Sequence, residues 1–432
     1  MIYLNSQRGT YIIAIFTNIL LILSLTTFIC YLLWFYIFNF ERVRDIKKQK
    51  QADHFDLYIM VPLLNEENTI FSYINDLINE LNQIDQTINP NILLLDDASD
   101  DDTLRNLHIL QNSLHHLRTK VYILERHFPN AQQGKGASLN FGLDFISKLP
   151  TTLDKQHTII GIIDADGFIS AKDINDIIGT FENNQVSMVQ SAVAMNRRDY
   201  NWLSKMQDTE FLGANSFMQE SRNRLGQAIA SGNGQFLTLQ MAQDVRWGNS
   251  LLEDFEFTVR GLFKQHRAIF LPSAIVYQEA VTSLRPLLRQ RIRWCEGSMQ
   301  CFVKYTKKII QSKVINPGVK IDLSLFLILP FFSMLLNIAN ICSIIVQLDN
   351  IFTRKSIPVL IVFGIVVCAT LLVWLMMAIE YHQNTQGLSL FTCILRAWQC
   401  ILYNFILSFI PYAAFAFLLM GRNSWAKTSH GT

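Results

Sequence analysis

No charged residue stands between Tyr11 and Phe40. About 20 apolar residues cross the hydrocarbon core of a bilayer, so this run is long enough to span it with some tilt. It ends in Trp34-Phe35-Tyr36, which suits a retained anchor at the membrane interface. A cleaved signal peptide would have a shorter apolar core and a small-residue cleavage site. Two further apolar stretches, 323–347 and 357–379, lie near the other end. A third, 395–420, is broken by Pro411 and carries Arg396 near its start. Half of the residues are apolar, yet they crowd into these segments and leave the middle with the composition of an ordinary soluble domain. The expected layout is an anchor at 1–40, a soluble domain at 41–283, an amphipathic interface region at 284–320, a transmembrane region at 321–420 and a tail at 421–432.

Basic residues orient this layout. Only Arg8 precedes the first span, whereas Arg42, Arg44, Lys47, Lys48 and Lys50 follow it. The positive-inside rule therefore expects a multi-pass protein of the cell membrane with its middle domain in the cytosol, among membrane lipids. Three C-terminal spans would leave the tail outside, but Arg422 and Lys427 prefer the inside. Either the last apolar region is re-entrant or doubled, or the rule fails there.

The formal charge is +2 and the soluble part has no long basic tract, so no nucleic-acid partner is expected. None of the seven cysteines lies between Asp53 and Trp294, which excludes a disulfide framework or a cysteine metal site in the middle domain.

That domain alternates short apolar runs with helical periodicity. Strands are expected at 56–62, 91–95, 120–124, 158–163 and 186–193, and helices at 66–81, 101–117 and 134–149. The expected fold is α/β and Rossmann-like, a parallel sheet with helices on both faces. Ligands of such sheets bind at the carboxyl ends of the strands. Polar clusters fall there: Asn65-Glu66-Glu67 after the first strand, Asp96-Asp97 after the second and Asp164-Ala165-Asp166 after the fourth.

Each cluster has a plausible chemistry and a plainer alternative. Asp164 and Asp166 can converge on one Mg²⁺ or Mn²⁺, hard cations that take oxygen ligands, or they can belong to an Asx turn ending at Gly167. Asp96 and Asp97 can accept hydrogen bonds from a base or ribose, while Asp100–Asp102 suit a helix N-terminus. Gly134-Lys135-Gly136 opens a helix whose start favours anions, or is merely a flexible turn. Glu253-Asp254 offers a carboxylate that could accept a proton as a general base, though acidic strings commonly sit on surfaces. From Arg289 to Ile309, apolar and basic residues interleave as in an amphipathic helix on a membrane surface, and Trp294 could instead serve as a platform for a sugar ring.

Taken in order, Pro62–Glu67, Asp96-Asp97, Gly134–Gly136, Asp164–Asp166, Gly232-Asn233-Gly234-Gln235-Phe236, Glu253-Asp254 and Gln290-Arg291-Ile292-Arg293-Trp294 resemble the processive family 2 glycosyltransferases. These include hyaluronan, cellulose, chitin and poly-N-acetylglucosamine synthases. The resemblance covers about residues 55–310, and Gln-x-x-Arg-Trp is its most specific element. It implies a GT-A fold, a UDP-sugar donor, Mg²⁺ or Mn²⁺, inversion at the anomeric carbon, and a growing polysaccharide exported across the membrane with an accessory membrane subunit. It also implies roles. Asn65, Glu66, Asp96, Asp97, Lys135, Asp164, Gln290 and Arg293 hold the donor. Asp166 binds the metal with Asp164, and Asp254 is the catalytic base. Trp294 and Gly232, Asn233 and Gly234 face the acceptor. Trp425-Ala426-Lys427-Thr428 resembles the C-terminal signature of some members. The sequence departs from many members at Leu64, Leu237–Gln240 and His430. Two other functions remain open: a single-addition transferase acting on a polyprenyl phosphate or glycolipid, and a non-catalytic transporter or scaffold with a nucleotide-binding domain.

Overall fold

The computed structural model describes residues 53–114, 117–150, 153–349 and 357–421, with Ile15, Ile19, Ile22 and Phe352 in isolation. The expected anchor span at 11–40, the basic segment after it and the tail signature at Trp425–Thr428 lie outside the described residues.

Eight strands form one sheet: β1 (Phe55–Leu63), β2 (Ile88–Asp96), β3 (Lys120–Glu125), β4 (Thr158–Ile162), β5 (Phe168–Ile169), β6 (Met188–Met195), β7 (Gln235–Thr238) and β8 (Ala268–Gln278). Their spatial order is β3-β2-β1-β4-β7-β6-β8-β5. Pairing is parallel from β3 through β4, with Leu63 opposite Asp96 and Met60 opposite Ile162. Side chains of β1 alternate between two cores, as a strand covered on both faces requires. Leu57, Ile59 and Val61 pack on one side with Ile74 and Leu77, and Tyr58 and Met60 on the other with Leu139 and Leu143.

The sheet is not wholly parallel, which corrects the expectation. β7 runs antiparallel between β4 and β6, and β5 is antiparallel to β8. Pairing register slips between Ser191 and Ala192 of β6, where β8 carries Pro272. Proline has no N–H to give to a sheet and is tolerated at such bulges.

Helices α1 (Asn75–Leu81), α2 (Thr103–Ser113), α3 (Lys135–Ile146) and α4 (Ala171–Asn184) cover the sheet. The expected helix at 66–81 starts late, because residues 66–69 form a loop tied to the start of α2: the Glu66 N–H donates to Thr103 Oγ1 at 2.7 Å. A π-helical turn, Ile70–Ile74, then leads into α1. Next come α5 (Trp202–Thr209), a second π-helical turn (Glu210–Asn215), α6 (Ser216–Asn223), α7 (Leu239–Val245) and α8 (Glu253–Phe263).

The C-terminal part is helical: α9 (Leu284–Gln311), α10 (Pro317–Asp349), α11 (Ile357–Asn384), α12 (Leu390–Leu407) and α13 (Ile410–Met420). Two stretches among the described residues, Pro317–Cys342 and Leu390–Met420, are long and apolar enough to cross a membrane. These helices pack on the soluble domain. Arg222 of α6 pairs with Asp322 of α10 at 2.9 Å, both nearly fully buried. Gly213 leaves room for α11, since a Cβ there would lie 3.3 Å from the Met377 carbonyl oxygen. The basic residues of α9 divide between the interior and the surface, with Arg285, Arg289 and Lys304 among the exposed ones. Arg291 turns inward to Glu210 and Arg293 lines the interior cavity, while Lys307 and Lys308 are exposed as well.

Candidate active site

Four backbone features assemble a charged cluster at the carboxyl edge of the sheet. β4 delivers Asp164 and Asp166 on a turn closed by the Gly167 N–H donating to the Asp164 carbonyl at 2.8 Å. Gly134, at φ 101°, starts α3 so that Lys135 occupies its first turn. Gly232 (φ 82°) precedes β7, and a Cβ on it would lie 2.3 Å from Asp254 Oδ2. Only glycine meets both the left-handed backbone and the close approach. Asp254 itself sits at the start of α8.

Lys135 is the hub. Its ammonium donates to Asp164 Oδ1 at 2.6 Å and to the Gly232 carbonyl at 2.7 Å. Burial works against its charge, but Asp164, Asp254 and Glu253 outweigh that and raise its pKa above the ordinary lysine value. Burial pushes the Asp254 carboxyl up to about 6, with Lys135 pulling it down and Asp164 pushing it further up. Glu253 is raised too, first by burial and then by Asp254 beside it. Asp254 Oδ1 is buried without a hydrogen-bond partner among the described residues. A buried carboxylate raised toward neutrality is suited to accept a proton.

These groups line a cavity of about 710 Å³. Its charged lining includes Glu66, Asp97, Lys135, Asp164, Asp166 and Asp254. Gln290, Arg293 and Trp294 line it from α9. Burial lowers the Arg293 pKa against the opposing pull of Glu253 and Asp164, so the guanidinium lies within electrostatic reach of the carboxylate cluster. Apolar side chains line the cavity as well, Phe211 from the second π-turn, Met218 from α6, Phe326 and Leu329 from α10 and Trp374 from α11, beside the polar Glu210, Asn215 and Asn404. One space thus connects the carboxylates to the C-terminal helices.

Four residues singled out from the sequence stand behind this surface. Asn65 ties loops together, its N–H donating to Ser99 Oγ and its Oδ1 accepting from the Asp100 N–H, both at 3.0 Å. Asp96 is buried, with Oδ1 unpartnered among the described residues. Asn233 braces the β4 turn by accepting the Asp164 N–H at 3.2 Å and donating to Gln278 at 2.9 Å. Gly234 passes Ser191 so closely that a Cβ would lie 2.0 Å from its hydroxyl.

Sequence reasoning missed other groups. Arg126, just after β3, donates to Asp97 Oδ1 at 2.5 Å, and the Gln132 N–H adds a second bond at 2.9 Å. Burial raises the Asp97 pKa although both contacts oppose it. An arginine directly after a strand was the available signal. The Glu279 N–H holds Asp166 Oδ2 at 3.1 Å from the end of β8. Glu210, which pairs with Arg291, carries no such signal in the sequence around it.

Among the described residues no group of three or more His, Cys, Asp or Glu could hold a metal alone. Asp164 and Asp166 both line the cavity and could contribute to a partial shell through the oxygens not engaged by Lys135 and the Glu279 N–H, since Mg²⁺ commonly takes one or two carboxylates with phosphate oxygens and water.

This fold and site define a glycosyltransferase of the GT-A class. The chain belongs to Glycosyl transferase family group 2, which it matches over residues 159–425, and the related Glycosyl transferase family 2 is matched over 58–242. It is similar to the beta-monoglucosyldiacylglycerol synthase of Trichormus variabilis, 28% identical over 280 residues, or 64% of this chain and 56% of that one. The enzyme of the same name from Synechocystis is 25% identical over 276 residues, 63% and 54% of the two chains. The chain thus spans about half the length of the curated relatives it matches. Among solved structures, a mannosyltransferase from Pyrobaculum calidifontis in complex with GDP-Man and Mn²⁺ covers 94% of this chain and 99% of its own, with a TM-score of 0.63 at 16% identity. That likeness is one of fold.

Proposed function

We propose that this glycosyltransferase adds a single sugar, with inversion, from a UDP-sugar to the hydroxyl of a membrane glycolipid or its lipid precursor. The observation that carries the reading is the cavity, which is lined both by the Asp164–Asp254–Lys135 cluster and by apolar side chains of the C-terminal helices. A free carbohydrate has no use for a wall of Phe326, Leu329 and Trp374, whereas a lipid acceptor places its hydroxyl at the carboxylates and its chain against that wall. Leu329 lines the cavity and is also 40% exposed, which suits entry from the side where lipid lies. Two relatives named as diacylglycerol glycolipid synthases agree. The apolar helices α10 and α12–α13 hold the protein in the membrane with the catalytic domain on the cytosolic face.

Asp254 accepts the proton of the acceptor hydroxyl as its oxygen attacks the anomeric carbon from the face opposite the diphosphate. The C–O bond to the diphosphate breaks, and UDP departs with both electrons. Lys135 and Arg293 neutralise the leaving group, and Asp97 and Glu66 line the donor end. Asp164 and Asp166 would hold a divalent cation, which would supply Lewis-acid neutralisation of the diphosphate.

Processive polysaccharide synthesis is the second reading, carried by Gln290, Arg293 and Trp294 on one wall of the cavity. Product analysis decides between the two. The purified protein, given a panel of UDP-sugars and phosphatidylcholine vesicles containing dioleoylglycerol, should release UDP and form a lipid with one added sugar. A water-soluble polymer formed without lipid acceptor would overturn the first reading. Failure to turn over any donor would overturn both.

A further inference from the structure

The wall carrying Trp294 is built from three distant segments. Arg291, one helical turn before Trp294 in α9, forms a forked pair with Glu210 of the second π-turn, Nη1 to Oε1 at 2.7 Å and Nη2 to Oε2 at 2.8 Å. The Tyr403 hydroxyl of α12 donates to Glu210 Oε2 at 3.0 Å and lies 3.4 Å from Arg291 Nη2. The guanidinium carbon stands 4.6 Å from the centroid of the Trp294 ring and 5.7 Å from that of Phe211. Phe211 meets Trp294 edge-on at 6.5 Å. Glu210, Phe211, Arg291 and Trp294 all line the cavity, while Tyr403 is fully buried behind them.

Replacing such a pair with apolar residues is often neutral for stability, so its stabilising value alone does not account for it. Its geometry is directional: a planar fork fixes the guanidinium, and the fixed guanidinium fixes the indole. It also starts on a π-turn, an irregularity that frequently marks functional sites.

We propose that Glu210, Arg291 and Tyr403 are positioning residues for the acceptor, which clamp the Trp294 ring against the cavity and make the C-terminal helix α12 part of the acceptor site. The clamp rests on the glycosyltransferase reading above. The indole presents a flat apolar surface to the acceptor in the cavity that the carboxylates and the C-terminal helices share. Tyr403 sets its angle from a helix long enough, with α13, to cross a membrane.

Arg291→Lys keeps the charge but cannot make the fork, and Tyr403→Phe removes one hydroxyl from an otherwise unchanged ring. With UDP-glucose and dioleoylglycerol in phosphatidylcholine vesicles, both should raise the acceptor KM, Arg291→Lys on the order of tenfold, while the UDP-glucose KM stays at its wild-type value. A readout independent of acceptor and donor accompanies this. The protein is labelled with 5-fluorotryptophan, and the Trp294 resonance is assigned by its loss in Trp294→Phe. That fluorine signal should be single and narrow in the wild type, and displaced or broadened in both variants while other tryptophan signals stay in place. An unchanged Trp294 signal in both variants overturns the clamp whatever the substrates are. Equal rises in donor and acceptor KM also overturn it. If the wild type ignores dioleoylglycerol and UDP-glucose, that reading of the substrates fails, and the fluorine signal still decides the clamp.

Discussion

Gly232→Ala tests whether Asp254 is the group at the reacting centre. The added Cβ would lie 2.3 Å from Asp254 Oδ2 and 3.3 Å from Lys135 Nζ. Ordinary contact begins about 1 Å further out, so the carboxylate has to withdraw by roughly that distance. At φ 82° the alanine also carries a left-handed strain of roughly 1–2 kcal/mol. A 1 Å misplacement in a reacting geometry costs on the order of 10²-fold in rate. The strain is a small share of a domain's stability, so the fold should survive with a modest fall in Tm. The assay is steady-state UDP release with and without lipid acceptor, beside calorimetric UDP binding and thermal unfolding. The expected result is a kcat lower by about two orders of magnitude with UDP still bound. A variant that keeps the wild-type kcat would refute the placement of the base, and one that loses UDP binding would assign Asp254 to the donor.

Further outcomes follow from the same geometry. Asp254 must be ionised to accept a proton, so turnover should rise with pH through about 6, be low below it, and lose this dependence with a 10²–10⁴-fold fall in kcat in Asp254→Asn. Asp166→Ala should leave the fold intact by circular dichroism and abolish stimulation by Mg²⁺ or Mn²⁺, and full activity of the wild type in a chelator would count against the metal. Trp294→Ala should lose acceptor-dependent transfer more than donor hydrolysis, with Trp294→Phe intermediate; equal loss of both would make Trp294 a structural anchor, and a change in product length would favour polymer synthesis. Asp322→Ala removes the carboxylate that faces the buried Arg222 and should destabilise the detergent-solubilised protein by about 3–5 kcal/mol, whereas Arg222→Met with Asp322→Leu should restore much of the loss in thermal unfolding.

The strands buried on both faces were legible because nothing but a continuous apolar run can occupy them, as in β1, β2 and β4. Missed strands have physical reasons. β7 has four residues and β5 two, too short for a periodicity, and β8 hides behind Pro272 at its bulge. In the site, Asp164, Asp166, Lys135 and Asp254 were each readable as residues beside a strand end or helix start. Their partners were not, because contacts such as Asp97 with Arg126 and Glu210 with Arg291 join segments 29 and 81 residues apart. Within α9, for the same reason, spacing cannot tell a basic residue that meets solvent or headgroups from one that meets a buried carboxylate. Arg291 finds the latter.

β7 has a consequence for how the molecule is made. It is the bridge between β4 and β6, bonded antiparallel to both, yet it is encoded some forty residues after β6 ends. While the chain emerges from the ribosome, β4 therefore presents a bare edge of Thr158–Ile162, an apolar run with no charge to keep other strands away. That edge stays open until the segment carrying Gly232 arrives and slots in. The segment that seals the sheet against misassociation is thus also the one that brings Gly232 into place, ahead of Asp254 and of the α9 residues that complete the cavity wall.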